Sequence, residues 1–141
     1  MINRYSRKEL RNIWADENKY KIWLDIELTA AEAMERLNII PKGVVKKVKS
    51  KAKINVARIL KIEESVKHDV IAFLTSITEK AGKEARFLHK GMTSSDVLDT
   101  CFNLQLKQSG EILLNDIKNL LTSNIKILYA WEEVMAYMLN Q

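Results

Sequence analysis

From Ser95 to the end of the chain there is no proline, and Gly110 is the only glycine. Within that stretch Leu114, Ile117, Leu121, Asn124, Leu128, Trp131, Met135 and Met138 follow alternating three- and four-residue steps, the spacing of a helix–helix seam. A helix from Ser95 to Leu139 is roughly 67 Å long at about 1.5 Å per residue. A compact domain of this size is roughly 30 Å across, twice a radius of gyration of about 14 Å. Such a helix is too long to be buried by its own chain. Three readings follow: a natural oligomer built around long helices, the front portion of a longer protein, or a bend at Gly110 that shortens the helix's reach.

The rest of the sequence points the same way. One proline and four glycines in 141 residues leave few breakers, and Leu, Ile, Lys and Glu are abundant, so the expected fold class is all-α. The spacing predicts an N-terminal helical domain over residues 1–92, then the start of a long-helix bundle over 93–141. Ser6 and Glu9 have the spacing of a capping box for a short helix ending near Trp14. Asp16 is the expected cap of a second helix to about Leu37, with Tyr20, Trp23, Leu24, Glu27, Leu28, Ala31 and Met34 on its inner stripe. Glu27 is the polar intruder there, while Asp25, Glu32 and Glu35 lie off the stripe and are expected in solvent. Asn38 ends this helix, and Pro41 suits the first turn of a third. Asn55 and Asp69 are the expected caps of the next two, and Ala81-Gly82 stops the fifth.

Both histidines fall in turns that enter helices. Lys67 and His68 precede Asp69, and His89 precedes a Thr93-Ser94-Ser95 cluster at the mouth of the long helix. Helix N-termini present unpaired N–H groups and a partial positive charge, and an imidazole beside them can donate to a phosphate or carboxylate. An anionic ligand fits, as does the formal net charge of +5. Neither histidine has a carboxylate or second histidine at helix-face spacing, so a metal is not expected, and no cofactor is. The lysines of residues 42–53 lack interleaved aromatics and arginines, which points to a solvated face and not to nucleic acid. Cys101 stands alone, no secretory signal opens the chain, and no apolar run reaches the length of a membrane span. The expectation is a soluble cytoplasmic protein with no membrane partner.

The residues carry a family resemblance. The N-terminal R-Y-S with W-A-D-E-N-K-Y-x-x-W-L-D-I-E, then K-H-D-V-I-A-F, then H-K-G-M-T-S-S-D-V-L-D-T, resemble in order and spacing the adenylosuccinate lyase family of the fumarase/aspartase superfamily. The similarity spans about Ile2 to Leu121. Its cousins usually have asparagine where this chain has Asp96. The resemblance implies β-elimination of adenylosuccinate to AMP and fumarate, and of SAICAR to AICAR and fumarate, by a homotetramer around a bundle of long helices. It implies that Arg4 and Tyr5 contact the nucleotide phosphate, and that Lys67, His68 and Asp69 form a turn at the substrate with His68 in a supporting catalytic role. It places His89 near the phosphate, and Thr93 and Ser94 on the succinyl carboxylate. The family's main acid, a histidine in a G-R-T-H-type motif, and its base, a serine on a glycine-rich loop, have no counterpart here. The tail from about Asn124 also departs from the family's continuation. These departures lead to the expectation of an N-terminal portion that is inactive alone; the other reading is a non-catalytic helical oligomerisation module.

Overall fold

In a computed structural model, residues 3–139 are described. They form six α-helices and two short 3-10 segments, with no strand among the described residues. The helices are α1 (Lys8–Ile13), α2 (Asp16–Arg36), α3 (Val44–Lys51), α4 (Val56–Val66), α5 (Asp69–Ala81) and α6 (Ser94–Leu139). The 3-10 segments are Asn3–Tyr5 and Gly82–Phe87. The all-α expectation holds. The chain divides into two compact units, Met1–Gln105 and Leu106–Gln141.

In the first unit α4 lies along α5, α2 meets α1, α3 and α4, and α3 packs on α5 and the second 3-10 segment. Its centre is an aromatic trio. Tyr20 and Phe73 stack with ring centroids 5.9 Å apart, and Trp23 stands edge-on to both at 5.2 and 5.5 Å. All three rings are fully buried. Such pairs contribute about 0.5–1.5 kcal/mol each beyond the area they remove from water. Ile59, Ile77, Val48, Val70 and Val97 close the core around them. From α6 this unit takes Val97, Cys101 and Gln105, buried at four-residue steps. Gln105 Nε2 donates to Ile13 O at 2.8 Å, and the Cys101 thiol lies 3.6 Å from Gln105 Oε1. Burial pushes the Cys101 thiol above its ordinary pKa. The nearby Trp23 N–H offsets part of this without reaching hydrogen-bond geometry; it is the one buried side-chain nitrogen or oxygen left unpartnered among the described residues.

Helix ends agree with the sequence in place but differ in who caps them. Asn55 caps α4 as expected, its Oδ1 accepting from Arg58 N at 3.0 Å. Asn38 ends α2 in the left-handed region at φ 57°. Its N–H reaches Glu35 O and that of Ile39 reaches Met34 O, the paired bonds of a Schellman turn. Elsewhere the cap sits one residue away from the expected position. Ala15, not Asp16, has the extended backbone before α2, so Asp16 occupies the first turn, where its charge favours the helix dipole and pairs with Lys19 at 3.0 Å. Likewise Arg7, not Ser6, flanks α1, with no side-chain cap bond, and His68, not Asp69, caps α5. Pro41 precedes α3 instead of starting it. Gly43 is the residue at its N-cap, at φ 87°, with open space around its Cα, so it is backbone conformation and not crowding that calls for glycine.

One carboxylate expected in solvent is not there. Glu35 accepts from Val45 N at 2.6 Å and so docks the first turn of α3 onto α2. The lysine-rich helix has one tether of its own, a 3.3 Å ion pair from Lys47 to Glu84 in the 3-10 segment.

In the second unit α6 continues unbroken through Gly110 to Leu139, 46 residues from Ser94. Leu121, Leu128, Trp131 and Met138 of the expected seam are all more than half exposed. No helix among the described residues is long and apolar enough to cross a membrane.

Candidate functional site

The two helix-entry turns are held in shape by residues the backbone would not otherwise tolerate. Lys67 ends α4 in the left-handed region at φ 54°, its N–H on Glu63 O at 2.8 Å. That reversal places His68 in extended backbone as the N-cap of α5. Its Nδ1 accepts from Ile71 N at 3.4 Å. An accepting Nδ1 carries no proton, so the ring hydrogen sits on Nε2. Nε2 lies 3.5 Å from Ser94 Oγ, the first residue of α6. Asp69 Oδ1 is also 3.5 Å from His68 Nδ1, but its closer partner is the Val70 N–H at 2.7 Å. Two turns that are 26 positions apart in sequence therefore meet, and they bring the N-termini of α5 and α6 with them. The histidine and aspartate side chains remain nearly half exposed.

The second turn is tighter. His89 adopts φ 59°, Gly91 follows at φ 71°, and Met92 N closes the turn on His89 O at 3.4 Å. A non-glycine residue at positive φ costs about 1–3 kcal/mol unless its surroundings fix it. Here Glu27 does so. Its carboxylate is fully buried and accepts from His89 N through Oε2 at 2.6 Å, while Oε1 lies 2.6 Å from His89 Nδ1. After the turn, Asp96 Oδ2 accepts from Thr93 N at 2.7 Å, the return half of a capping box. The Thr93 side chain points no cap bond of its own into α6 and stays exposed.

The expected site residues thus fall into separate groups. His68 and Ser94 are in contact, His89 is held by Glu27, and Asp69 and Thr93 serve the helix entries. Arg4 and Tyr5 contact each other, the guanidinium 4.7 Å over the ring, and both are exposed. Lys67 lines a cleft of about 470 Å³ with Leu60, Glu63 and Glu64, where the two carboxylates make a poor seat for an anion. Two further clefts lie beside Lys42 and beside Lys53, and neither is lined by a histidine. The His68 side chain is nearly half exposed, whereas that of His89 is mostly buried. Glu27 was absent from the expected set. Its signal was in the sequence as the one charged residue on the inner stripe of α2, but its partner lies 62 positions away. No group of three His, Cys, Asp or Glu side chains placed to hold a metal occurs among the described residues.

Donor groups at two helix mouths, with imidazoles beside them, suit the oxygens of an anionic ligand. The chain belongs to the lyase family, whose model matches residues 3–126. Within that family it is similar to adenylosuccinate lyases. It is 46% identical over 122 residues to that of Streptococcus mutans serotype c, covering 86% of this chain and 28% of that protein. It is 45% identical over 118 residues to that of Staphylococcus saprophyticus subsp. saprophyticus, covering 84% of this chain and 27% of that protein. The chain thus spans little more than a quarter of the length of these relatives. A fumarate lyase from Mesorhizobium sp. BNC1 shares the fold over 73% of this chain and 26% of its own, with a TM-score of 0.65 at 23% identity.

Proposed function

We propose that this chain is the substrate-binding segment of an adenylosuccinate lyase, acting in purine nucleotide biosynthesis in the cytoplasm. The whole enzyme would cleave adenylosuccinate to AMP and fumarate, and SAICAR to AICAR and fumarate, by β-elimination. The observation that carries this reading is the meeting of His68 with Ser94, 3.5 Å apart, at the joined mouths of α5 and α6. Hydroxyl, imidazole and free helix N–H groups there are the donors a succinyl carboxylate needs. Thr93 and Ser94 would hold that carboxylate, with His68, Lys67 and Asp69 beside it. His89 would take the phosphate, joined by Arg4 and Tyr5 when the arm closes on ligand.

Residues 1–92 would be the N-terminal helical domain and 93–141 the first long helix of a central bundle. The acid and base that the family resemblance calls for lie on neither, so the 141-residue chain is expected to show no lyase turnover. Titration of the chain with AMP, followed by heteronuclear NMR, tests the binding. Shifts should centre on residues 67–69 and 89–94, and His89→Ala and Arg4→Ala should each weaken binding by about tenfold, the worth of one charge-assisted contact. Shifts scattered elsewhere, or variants that bind as well as the wild type, would refute the assignment.

A second reading has its own support. The seam of α6 beyond Leu106 is exposed along its length, and a contiguous apolar face of that kind marks an association surface. A helical oligomerisation module would use it without any catalysis. Light scattering across a concentration series separates this from a monomer.

A further inference from the structure

We propose that Glu27 is the positioning residue of His89, fixing the imidazole as the Nδ1-protonated form so that Nε2 is the atom offered to the substrate anion. This rests on the substrate-binding reading of His89 and adds to it a residue that the sequence comparison did not bring out.

The geometry is that of a two-point clamp. Glu27 sits on the inner face of α2 with its side chain fully buried. A buried carboxylate is costly unless each oxygen is hydrogen-bonded. Both are, and both to one residue: Oε2 to the His89 main-chain N–H and Oε1 to Nδ1, each at 2.6 Å. Distances of that size are those of charge-assisted bonds. An ionised carboxylate only accepts, so the Nδ1 that faces it carries a proton. The main-chain bond does separate work. It holds a non-glycine residue at φ 59°, and in that conformation the ring can reach back to α2.

The other ring nitrogen is left for a ligand. The His89 ring makes no further hydrogen bond among the described residues, and its Nε2 is not among the buried atoms that lack a partner, so Nε2 reaches solvent through the 18% of the side chain that stays exposed. In the Nδ1–H ring Nε2 accepts a proton, and once protonated it donates to a phosphate or carboxylate oxygen while Glu27 balances the charge from behind. His68 is set the opposite way. Its Nδ1 accepts from a helix N–H, which leaves the proton on Nε2. The two histidines thus present different tautomers, each chosen by what holds Nδ1.

The test is long-range ¹H–¹⁵N NMR of the 141-residue chain, with His89→Gln used for assignment. The wild-type His89 ring should show a protonated Nδ1, and Glu27→Gln should move the neutral ring to the Nε2–H form. A glutamine has one acceptor and one donor: with its oxygen on the main-chain N–H, its NH₂ donates to Nδ1. Glu27→Gln should also weaken AMP binding by about tenfold, and Glu27→Asp, which keeps the charge but shortens the reach, should restore the Nδ1–H signature in part. An Nε2–H ring in the unmutated chain would overturn the proposal, and that measurement needs no variant to fold. So would a tautomer indifferent to Glu27→Gln. The NMR readout needs no ligand, so it stands apart from the substrate-binding reading, which fails instead if AMP does not titrate the wild-type chain.

Discussion

The two stretches of α6 carry similar residues to opposite ends. Up to Gln105 the helix gives one residue in four to the core of the first unit, and Val97, Cys101 and Gln105 are at most 6% exposed. Beyond Leu106 the apolar positions are as frequent and as regularly spaced, yet Leu121, Leu128 and Trp131 lie at 56%, 68% and 62% exposure. Periodicity alone does not distinguish them. In the first stretch Gln105 donates to Ile13 O of α1 and the Cys101 thiol lies near Lys19 O of α2. In the first stretch the pattern serves the core, and in the second the same pattern lies exposed.

Substitutions on either side put numbers on that contrast. Phe73→Ala removes a fully buried ring between Tyr20 and Trp23 and should cost about 3–5 kcal/mol in urea unfolding of the chain. Trp131→Ala removes a ring that is mostly in water, and at concentrations where the chain is monomeric it should cost less than about 0.5 kcal/mol. Equal costs would mean that the second stretch is buried in solution and that the contrast is false. The next largest effect reads the seam directly. Leu121→Asp with Leu128→Asp should raise the dissociation constant for self-association at least tenfold, about 1.4 kcal/mol, in sedimentation equilibrium. The aromatic near-UV spectrum of the first unit should not change.

How far the sequence foretold this structure depends on the distance between partners. Helix spans were legible because breakers and periodicity are local: Ala81-Gly82 ends α5 and Asn38 ends α2 where expected. Caps slipped by one residue at α1, α2 and α5, because the cap belongs to whichever residue takes extended backbone, and at Ala15 and Arg7 no side chain advertises it. Glu35 was misread since its acceptor role needs Val45 N brought back across a turn. The site shows the same limit. Both histidines stood out as helix-entry residues, but nothing local in the sequence joins His68 to Ser94 or His89 to Glu27. Those pairs exist because α2, α5 and α6 share one core.

Smaller effects sharpen the account of the first unit's edges. Asn55→Ala removes the α4 cap and should cost about 1 kcal/mol in the same urea experiment, with Asn55→Gly costing only a few tenths. The smallest effect concerns the ion pair that ties α4 to α5. Arg58 donates through Nε to Glu79 Oε2 at 3.0 Å and through Nη2 to Oε1 at 2.5 Å. These bonds hold the Glu79 carboxyl below its ordinary pKa of 4.5. A carboxyl whose folded pKa is depressed binds protons more readily when unfolded, so its contribution is fully present above the unfolded value and is lost as pH falls through the folded one. The pair is open to water, where screening leaves such contacts weak. Melting temperature followed from pH 6 to pH 3 should therefore fall slightly less steeply for Glu79→Gln than for the wild type, whose small advantage at neutral pH closes on the acid side of about pH 5. Added salt should shrink the gap. A gap that persists unchanged at neutral pH in high salt would show that Glu79 stabilises α4 and α5 through packing of its side chain, and not through its charge.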